Sequence, residues 1–329
     1  MINQQAHLNP KLFDQDIEKV PTRDGFGEGL VLAGESSPNV VALCADLTES
    51  TRMQSFRDKF PERFIEVGVA EQNLVTVASG LAAAGKIPFC ASYATFSPGR
   101  NWEQIRTTIC YNDQPVKIIG SHAGISVGPD GATHQALEDI ALMRALPNMV
   151  VIVPMDSIEA KKATMAIAAT KQPSYLRLSR DKTPVISTEQ TPFQIGKAEV
   201  LAEGKDIAII ACGQMVYQAL QAAEQMKEHN ISVRVINCHT LKPLDEKTIL
   251  EATDECGAIV TVEEHQVTGG LGGAVAELVC QKFPVPMKIV GIANRFGESG
   301  ESEELLEKFG LTTKEIIHAI TTVLRMKPT

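Results

Sequence analysis

The chain has 329 residues, of which 44% are hydrophobic and 22% charged, and its formal net charge is −9. This composition is typical of a globular protein long enough for two domains, and it excludes a disordered or fibrous chain. The acidic balance argues against a nucleic-acid or anionic-membrane surface, although it is compatible with a local basic pocket for a phosphorylated metabolite.

The seven cysteines are widely spaced, and most lie in apolar runs without a Cys-x-x-Cys pair. We expect them to be reduced core residues of a cytoplasmic protein, neither disulfides nor zinc ligands. The N-terminal sequence MINQQAHLNPKLFDQ lacks a basic start and an apolar signal core. No segment reaches the roughly 18 apolar residues that a membrane span needs, so neither secretion nor membrane insertion is expected.

The first half of the chain alternates between short apolar strands and helices. Residues 1–20 are polar and irregular, and we expect a tail or one docking helix there. A helix over TRDGFGEGLVLAGES follows, with Thr22 as its N-cap. Strands are predicted at VVALCADL, FIEVGV, IPFCASY, VKIIGSH, MVVIVP and SYLRLSR. Further helices are predicted after FIEVGV, from Ser97-Pro98, over ALEDIALMRAL and over SIEAKKATMAIAAT. The alternation predicts an α/β domain with a mainly parallel sheet flanked by helices.

A second domain is predicted after a linker. Between Asp181 and Gln194 the sequence loses its periodicity and carries two prolines and four hydroxyl residues, so we place a linker at 186–198. The first domain is then predicted over 21–185 and a second α/β domain over 199–329. The second domain's strands are predicted at DIAIIACG, SVRVINC, AIVTVEE and MKIVGIA, with helices from Val216 to Glu228 and from Gly273 to Lys282.

Glu71 lies where the pattern changes from strand to helix. FIEVGV precedes it, and apolar residues at helical spacing, beginning with Leu74, follow it. Chemistry in α/β enzymes is usually found at this kind of junction. A glutamate in a first helical turn can also serve only to complement the helix dipole, an effect of roughly 0.3–1 kcal/mol at a surface. The position alone leaves both roles open.

The loop HAGISVGPDGATH, from His122 to His134, is the richest polar segment. It contains Asp130 and several glycines that allow the backbone to approach a ligand closely. It matches neither G-x-G-x-x-G nor a Walker loop, so neither nucleotide fingerprint is present. A surface loop whose Thr133 caps the next helix is the alternative.

Three other motifs have modest signals on their own. The aromatic residues of SYATFSPGRNW are typical of a core as much as of a cofactor platform. GGLGG at 269–273 opens a helix, and a tight turn is its expected role. EEH at 263–265 lies on a strand, where neighbouring side chains point to opposite faces and cannot easily share a metal.

Taken together, the motifs resemble the C-terminal half of transketolase, in the form found where transketolase is split into two polypeptides. The resemblance covers nearly the whole chain from Thr22 onward. The segments that carry it are TRDGFGEGL, ADLTES, FIEVGVAEQN, SYATF, GPDGATHQALEDIALMRALPNM, YLRLSR and EEHQVTGGLGGAVAE. It implies a pyrimidine-binding domain followed by a transketolase C-terminal domain, with a thiamine diphosphate site built between two chains.

The resemblance also implies roles for individual residues at the cofactor. Glu71 matches the glutamate that hydrogen-bonds the aminopyrimidine ring and drives its change of tautomer. Phe96 matches the aromatic residue that stacks on this ring, with Tyr93 beside it. Asp46 matches a carboxylate that lies close to the cofactor.

Other matched positions are on the substrate side. Asp130 and His134 match residues near the reacting hydroxyls and carbonyl, where histidine can shuttle protons. Arg177 is a weaker candidate, because strand alternation turns it away from the phosphate-binding side. The positions that match residues holding the sugar phosphate are Arg23, Ser50, His122 and Arg180.

One part of the family pattern is missing. The sequence contains no G-D-G followed by an Asn pair, the motif that places magnesium and diphosphate in the family. No metal ligand is therefore expected on this chain. The resemblance implies that a separate N-terminal transketolase subunit supplies the Mg²⁺ and diphosphate side of the site, in an α2β2 assembly, and that this chain is inactive alone.

The implied function is transfer of a two-carbon ketol unit from a ketose phosphate to an aldose phosphate, in pentose phosphate metabolism or a dedicated catabolic route. A 1-deoxyxylulose-5-phosphate synthase-like half enzyme shares several motifs, but that family has R-Y-P-R-G where this chain has RLSRDK. A 2-oxoacid dehydrogenase beta subunit shares G-x-A-E-Q, and the DGATHQ loop disfavours it. A noncatalytic paralogue could have lost Glu71, Phe96, His122 or Asp130, yet all are present.

Overall fold

The structure, a computed structural model, describes residues 1–327, so the last two residues of the predicted second domain lie outside the described residues. In chain order its strands are β1 (Lys19–Pro21), β2 (Val40–Cys44), β3 (Phe64–Glu66), β4 (Ile87–Tyr93), β5 (Lys117–Ser121), β6 (Val150–Ile152), β7 (Ser174–Arg177), β8 (Lys182–Pro184), β9 (Glu199–Ala202), β10 (Ile207–Ala211), β11 (Val233–Asn237), β12 (Thr240–Lys242), β13 (Ile259–Gln266) and β14 (Met287–Ile292). Its α-helices are α1 (Thr22–Ser36), α2 (Gln54–Lys59), α3 (Glu71–Ala83), α4 (Trp102–Gln104), α5 (Asp139–Arg144), α6 (Ser157–Ala168), α7 (Met215–Met226), α8 (Glu246–Cys256), α9 (Leu271–Lys282), α10 (Ser302–Lys308) and α11 (Thr313–Leu324).

Two sheets organise the molecule. The larger has seven strands in the order β12-β6-β7-β5-β4-β2-β3, and the smaller has five in the order β14-β13-β10-β11-β9. Within these two sheets all pairs are parallel except β12 with β6 and β9 with β11. Every residue of β2, β5 and β10 is buried, as expected for parallel strands covered by helices on both faces. The predicted fold class, two α/β domains with mainly parallel sheets, is confirmed.

The packing of α1 on α6 explains the glycines in the segment TRDGFGEGL. A Cβ atom on Gly25 would lie 1.8 Å from the carbonyl oxygen of Ser157, and one on Gly29 would lie 2.8 Å from Cβ of Thr164. Side chains at these two positions would therefore force the helices apart. The close contact fixes the first turn of α1, which carries Arg23.

A strand from the second half of the chain completes the sheet of the first half. Thr240 of β12 pairs with Ile152 of β6, and the amide of Val153 donates to the carbonyl of His239 over 2.8 Å. One buried hydrophobic cluster includes Val151 from one sheet and Ile210 from the other. The two halves therefore share both a sheet and a core, an arrangement that the alternation of strands and helices did not predict.

The N-terminal segment lies against the second sheet. Ile2 forms a bridge with Ala202, and Leu12 and Ile17 are buried in the core around that sheet. No α-helix is found in residues 1–20, where the structured parts are one 3₁₀ turn, Gln4–Ala6, and the start of β1. β1 pairs with β8 in a separate two-stranded sheet.

The helix predicted over TRDGFGEGLVLAGES has the expected bounds, but its predicted N-cap was wrong, as was the start of the helix predicted from Ser97-Pro98. The helix α1 begins at Thr22 with Pro21 in the N-cap position, and the Thr22 hydroxyl accepts a hydrogen bond from the amide of Ser179 over 2.8 Å. A tertiary partner has taken the hydroxyl that was predicted to cap the helix. The helix predicted from Ser97-Pro98 begins at Trp102 and continues as π-helical turns over Ile105–Tyr111. Residues 94–101 instead form turns, with no space for a Cβ atom at Gly99 against the carbonyl of Thr95.

The helix predicted over 136–146 is shorter than expected, because α5 spans only Asp139–Arg144. The carbonyls before it have partners elsewhere: Ala136 accepts from the amide of Gly124, and Leu137 accepts from the amide of Gln266. Backbone groups used in this way cannot extend the helix.

Of the cysteines, Cys280 is exposed and the others are buried. Within residues 1–327, no helix combines the length and apolarity needed to cross a bilayer.

Candidate active site

The predicted site residues gather at one edge of the larger sheet. Asp46 follows β2, Glu71 comes after β3, Tyr93 ends β4, His122 follows β5 and Arg180 comes after β7. Because these strands are parallel, their carboxyl ends meet at the same edge. Topology alone therefore brings together residues that are far apart in the sequence.

Glu71 is the first residue of α3, and its side chain is only 2% exposed. Arg100 donates a hydrogen bond from Nη1 to Oε2 of Glu71 over 2.8 Å, and Asn101 donates from Nδ2 to the Glu71 carbonyl over 2.8 Å. Burial distinguishes this carboxylate from an ordinary surface acid in a first helical turn. The contact with Arg100 uses one carboxylate oxygen, so the second can bond a ligand nitrogen.

Aromatic rings lie at the same edge of the sheet, and one of them contacts Arg100, the partner of Glu71. Tyr93 stacks on His122 with ring centroids 3.9 Å apart, and Phe96 contacts the edge of His134 at 5.4 Å. The Arg100 guanidinium lies 4.8 Å from the centroid of Phe96, which is only half-buried. A partly accessible aromatic ring and a buried carboxylate that share the partner Arg100 can hold a flat, nitrogen-containing ring by stacking and hydrogen bonding.

His122 is buried and neutral. Its Nε2 lies 3.2 Å from Nη1 of Arg23, and since arginine can only donate, Nε2 accepts and Nδ1–H donates to Ser121 Oγ over 2.9 Å. Burial, followed by the positive charges of Arg23 and Arg180, lowers the pKa of His122 to about 3. Arg23 also donates to the carbonyl of Ser50 over 2.9 Å, so Ser50 enters this group through its backbone.

The low pKa of His122 predicts a pH dependence of stability. Below its ordinary pKa near 6.5, the unfolded imidazole takes up a proton that the folded one does not, until the pH reaches about 3. In this window His122 lowers the free energy of unfolding by about 1.4 kcal/mol for each unit of falling pH. Urea titrations at pH 6 and pH 4.5, followed by the fluorescence of the single tryptophan, Trp102, measure the loss.

His122→Gln should remove about 2 kcal/mol of the loss between these two pH values. His229→Gln, at an exposed position away from the sheet edge, is the matched control and should leave it unchanged. Equal losses in wild type and His122→Gln would contradict a neutral, buried His122.

Arg180 lies over the loop that follows β5. It donates from Nη1 to the carbonyl of Val127 over 2.6 Å, and this nitrogen is 3.6 Å from Oδ1 of Asp130. Arg177 has different partners from Arg180. Its side chain is buried, and its Nε donates to Oδ2 of Asp139 over 2.9 Å.

A second cationic residue, Arg52, lies close to Arg23. Burial lowers the pKa of the Arg23 guanidinium, and the charge of Arg52 lowers it further. Arg52 donates from Nε to Oδ1 of Asp24 over 2.5 Å, which neutralises it in part. Together with Arg180, these arginines make a basic pocket on an acidic protein, suited to an anionic ligand.

Asp46 and His134 are more accessible than the buried Glu71 and His122. Asp46 is exposed with a φ of +59°, and its amide donates to Oε1 of Glu66 over 2.8 Å. Glu66 also accepts from the amide of Gly68 over 2.9 Å, so one carboxylate joins the turns after β2 and β3. His134 is half-buried, with Nδ1 2.9 Å from the Thr133 hydroxyl. Thr133 therefore contacts its neighbour instead of capping the next helix.

Sequence reasoning missed Arg100, Arg52 and Glu66. Arg100 follows Phe96 by one turn, which was a usable signal, but its partner Glu71 is 29 positions away. No periodicity connects residues at such a separation. Trp102, the last aromatic residue of SYATFSPGRNW, donates from Nε1 to the carbonyl of Leu142 over 2.9 Å.

The arrangement suits the pyrimidine part of a cofactor better than a metal. Within residues 1–327, no group of three or more His, Cys, Asp or Glu side chains is placed to hold a metal ion. A buried carboxylate and a half-buried ring, as in Glu71 and Phe96, are suited to an aminopyrimidine. The basic pocket next to them is suited to a phosphorylated or otherwise anionic substrate.

Both halves of the chain match the models of known protein domain families. Residues 18–185 match the transketolase pyrimidine-binding domain, and residues 196–316 match the transketolase C-terminal domain. The two models together span most of the described residues, including every site residue named above.

Individual proteins give the same result. A Methanocaldococcus jannaschii protein whose name describes a transketolase C-terminal section is 46% identical over 301 residues, which cover 91% of this chain and 94% of that protein. The 6-deoxy-6-sulfo-D-fructose transketolase subunit SqwH of Clostridium sp. (strain MSTE9) is 41% identical over 315 residues, covering 96% and 98%. A solved split-gene transketolase, described as an inactive β4 tetramer, superposes with a TM-score of 0.89 at 44% identity and covers 94% of this chain and 100% of that one.

Proposed function

The chain belongs to the transketolase family, and we propose that it is the C-terminal subunit of a thiamine-diphosphate-dependent transketolase that moves a two-carbon ketol unit from a ketose phosphate to an aldose phosphate. The observation that carries the proposal is the buried Glu71 at the carboxyl edge of the sheet, whose partner Arg100 also contacts Phe96. A solvent-exposed acid at a helix start would not support it.

On the cofactor side, each residue has a distinct task. Thiamine diphosphate supplies the carbon nucleophile and the electron sink of ketol transfer when it is bound. Glu71 would hold the aminopyrimidine through its second carboxylate oxygen and would exchange a proton there. Phe96 would stack on this ring and Asp46 would face the cofactor from the turn after β2, while Tyr93 supports the His122 ring.

On the substrate side, the basic pocket binds the anionic end of the sugar. Arg180 and Arg23 provide charge-assisted hydrogen bonds, with Ser50 and neutral His122 holding Arg23 in place. Asp130 and His134, on the same loop, face the reacting hydroxyls and carbonyl. His134 is the group we assign to proton transfer at neutral pH.

The other half of the site is assigned to a partner. We propose that an N-terminal transketolase subunit supplies the residues for Mg²⁺ and diphosphate, and that two copies of each chain form an α2β2 assembly. Three findings support this: the absence of the diphosphate motif, the relatives named as sections or subunits, and the similar split-gene β4 tetramer described as inactive.

We also propose the domain limits 21–185 and 199–329 with a linker over 186–198, and a cytoplasmic location. The ends of the two family matches, at 185 and 196, support the limits. The largely buried, unpaired cysteines are compatible with a reducing compartment.

Reconstitution tests the function. We expect the chain alone to show no turnover. Once the N-terminal subunit, thiamine diphosphate and Mg²⁺ are added, the complex should form sedoheptulose 7-phosphate from xylulose 5-phosphate and ribose 5-phosphate. Size-exclusion chromatography with light scattering should show the mixed assembly. An assembled complex that forms no ketol-transfer product from any sugar tested would overturn the proposal.

Two further arms of the assay separate the alternatives. Product from pyruvate and glyceraldehyde 3-phosphate would favour a 1-deoxyxylulose-5-phosphate synthase activity instead. Because one relative is named for a sulfonated sugar, 6-deoxy-6-sulfo-D-fructose belongs in the donor panel. A preference for it over fructose 6-phosphate would assign the basic pocket to a sulfonate, and the reverse preference would assign it to a phosphate.

A further inference from the structure

The second half of the chain reaches into the loop from His122 to His134, here called the substrate-side loop, through Glu264. This residue lies on β13 and is only 4% exposed. Its Oε1 accepts a hydrogen bond from the amide of Ser126 over 2.7 Å, and its Oε2 accepts from Nε2 of Gln214 over 2.6 Å. A carboxylate of one domain thus holds the backbone of the other domain's loop, across 138 positions of sequence.

The contact leaves no spare room. Gly124 has a φ of +89°, and a Cβ atom there would lie 2.3 Å from Cδ of Glu264. The loop can approach the carboxylate this closely only because the residue is a glycine. The position of Glu264 therefore sets the path of the loop directly after His122.

The far end of the loop is tied to the same domain. Gln135 donates from Nε2 to the carbonyls of Ile125, Gly128 and Glu298, at 3.2, 3.1 and 2.9 Å. A Cβ atom on Gly131 would lie 2.5 Å from the hydroxyl oxygen of Ser299. The second domain thus touches the loop on both sides of Asp130.

Arg177 also connects β13 with the residues just after the substrate-side loop. Its Nη2 donates to the carbonyl of Glu264 over 2.9 Å and to that of Ala136 over 3.3 Å. Burial raises the pKa of the Glu264 carboxyl, and the charge of Arg177 opposes this. The strand that carries Glu264 is therefore fixed relative to the loop by contacts independent of its carboxylate.

We propose that the second domain positions the substrate-side loop, with Glu264 as the positioning residue that acts through the amide of Ser126. Fixing this amide fixes the flanking His122, Asp130 and His134 relative to the cofactor side of the site. The proposal rests on the function proposed above for the loop. It gives the second domain a role in substrate binding in addition to assembly.

The strand offers a matched control. Glu263 is also buried, but its carboxylate accepts from the amides of Leu271 and Gly272 at the start of α9, over 2.7 and 2.8 Å. These two hydrogen bonds hold the tight turn GGLGG, which is separate from the substrate-side loop. Glu263 and Glu264 thus face different partners, and a change at either should cost stability, whereas only Glu264 should affect the substrate.

The test uses the complex with the N-terminal subunit. Glu264→Ala should lower kcat/KM for sugar phosphates about 10- to 100-fold per folded complex, because small displacements of positioning groups have effects of this size. The Kd for thiamine diphosphate should stay within about 3-fold, since Ser126 lies outside the pyrimidine contacts. Glu264→Gln keeps an acceptor for the Ser126 amide, and its amide can donate to Gln214 once that side chain turns, so activity should largely return.

Glu263→Ala should lower the melting temperature yet leave kcat/KM of the folded complex unchanged. Equal kcat/KM losses in Glu263→Ala and Glu264→Ala, or a loss in Glu264→Ala that only follows the folded fraction, would overturn the positioning role. Hydrogen exchange of residues 123–131 provides a separate readout. Exchange should be faster in Glu264→Ala, and unchanged exchange would overturn the proposal even if the wild-type complex proved to have another activity.

Discussion

Glu71→Gln is expected to remove nearly all ketol transfer from the reconstituted complex while the chain still folds and assembles. The change keeps the size of the side chain but removes the acid that moves a proton at the aminopyrimidine, and lost acid–base catalysis costs about 10²- to 10⁴-fold in kcat. The neighbouring Arg100 is half exposed, so solvent can screen its charge after the substitution. Steady-state kinetics at saturating cofactor measure the loss of ketol transfer, and light scattering measures whether the complex still assembles.

Glu246→Gln is the control for the simpler interpretation of Glu71. Like Glu71, Glu246 is the first residue of its helix, but it is exposed and distant from the carboxyl edge of the larger sheet. If Glu71 only complemented a helix dipole, the two substitutions would have similar, small effects. Activity retained above a tenth of wild type in Glu71→Gln would contradict a catalytic role.

The second large effect is expected at Arg180. Arg180→Ala should raise KM for phosphorylated sugars about 10- to 100-fold, the value of one charge-assisted hydrogen bond. KM for unphosphorylated analogues should change far less, since they lack the anionic end. Initial rates with matched pairs of substrates, such as xylulose 5-phosphate and xylulose, give the comparison.

Lys182→Ala removes an exposed positive charge two positions further on and is the matched control. It should leave both KM values near wild type, because an exposed charge acts on the pocket only through screened solvent. Equal increases for phosphorylated and unphosphorylated sugars in Arg180→Ala would instead mean that the lost contact with Val127 had displaced the loop.

The fold and the outline of the site could be predicted because both depend on local patterns. The start of α3 at Glu71 follows from a change in periodicity, and α3 does begin there. Asp46, Tyr93, His122 and Arg180 were implied by the resemblance to transketolase. The structure brings them to one edge because parallel strands end there.

What could not be predicted depends on contacts between distant segments. Thr22 looks like an N-cap from its position before an apolar run, yet its hydroxyl bonds to the Ser179 amide, 157 positions away. Arg100 and Glu264 face their partners in the same way, over separations that no periodicity encodes. The resemblance to transketolase named the cofactor and substrate residues, but not the carboxylate that holds their loop.

The pairing of β12 with β6 limits how the chain can be taken apart. A fragment ending at the linker would leave β6 as an unprotected edge strand, open to pairing with other chains. A chimaera that borrows a second domain from a relative would import a foreign strand into its own first sheet. The boundary between exchangeable modules therefore cannot be placed at the linker alone, because residues 240–242 belong to the sheet of the first domain.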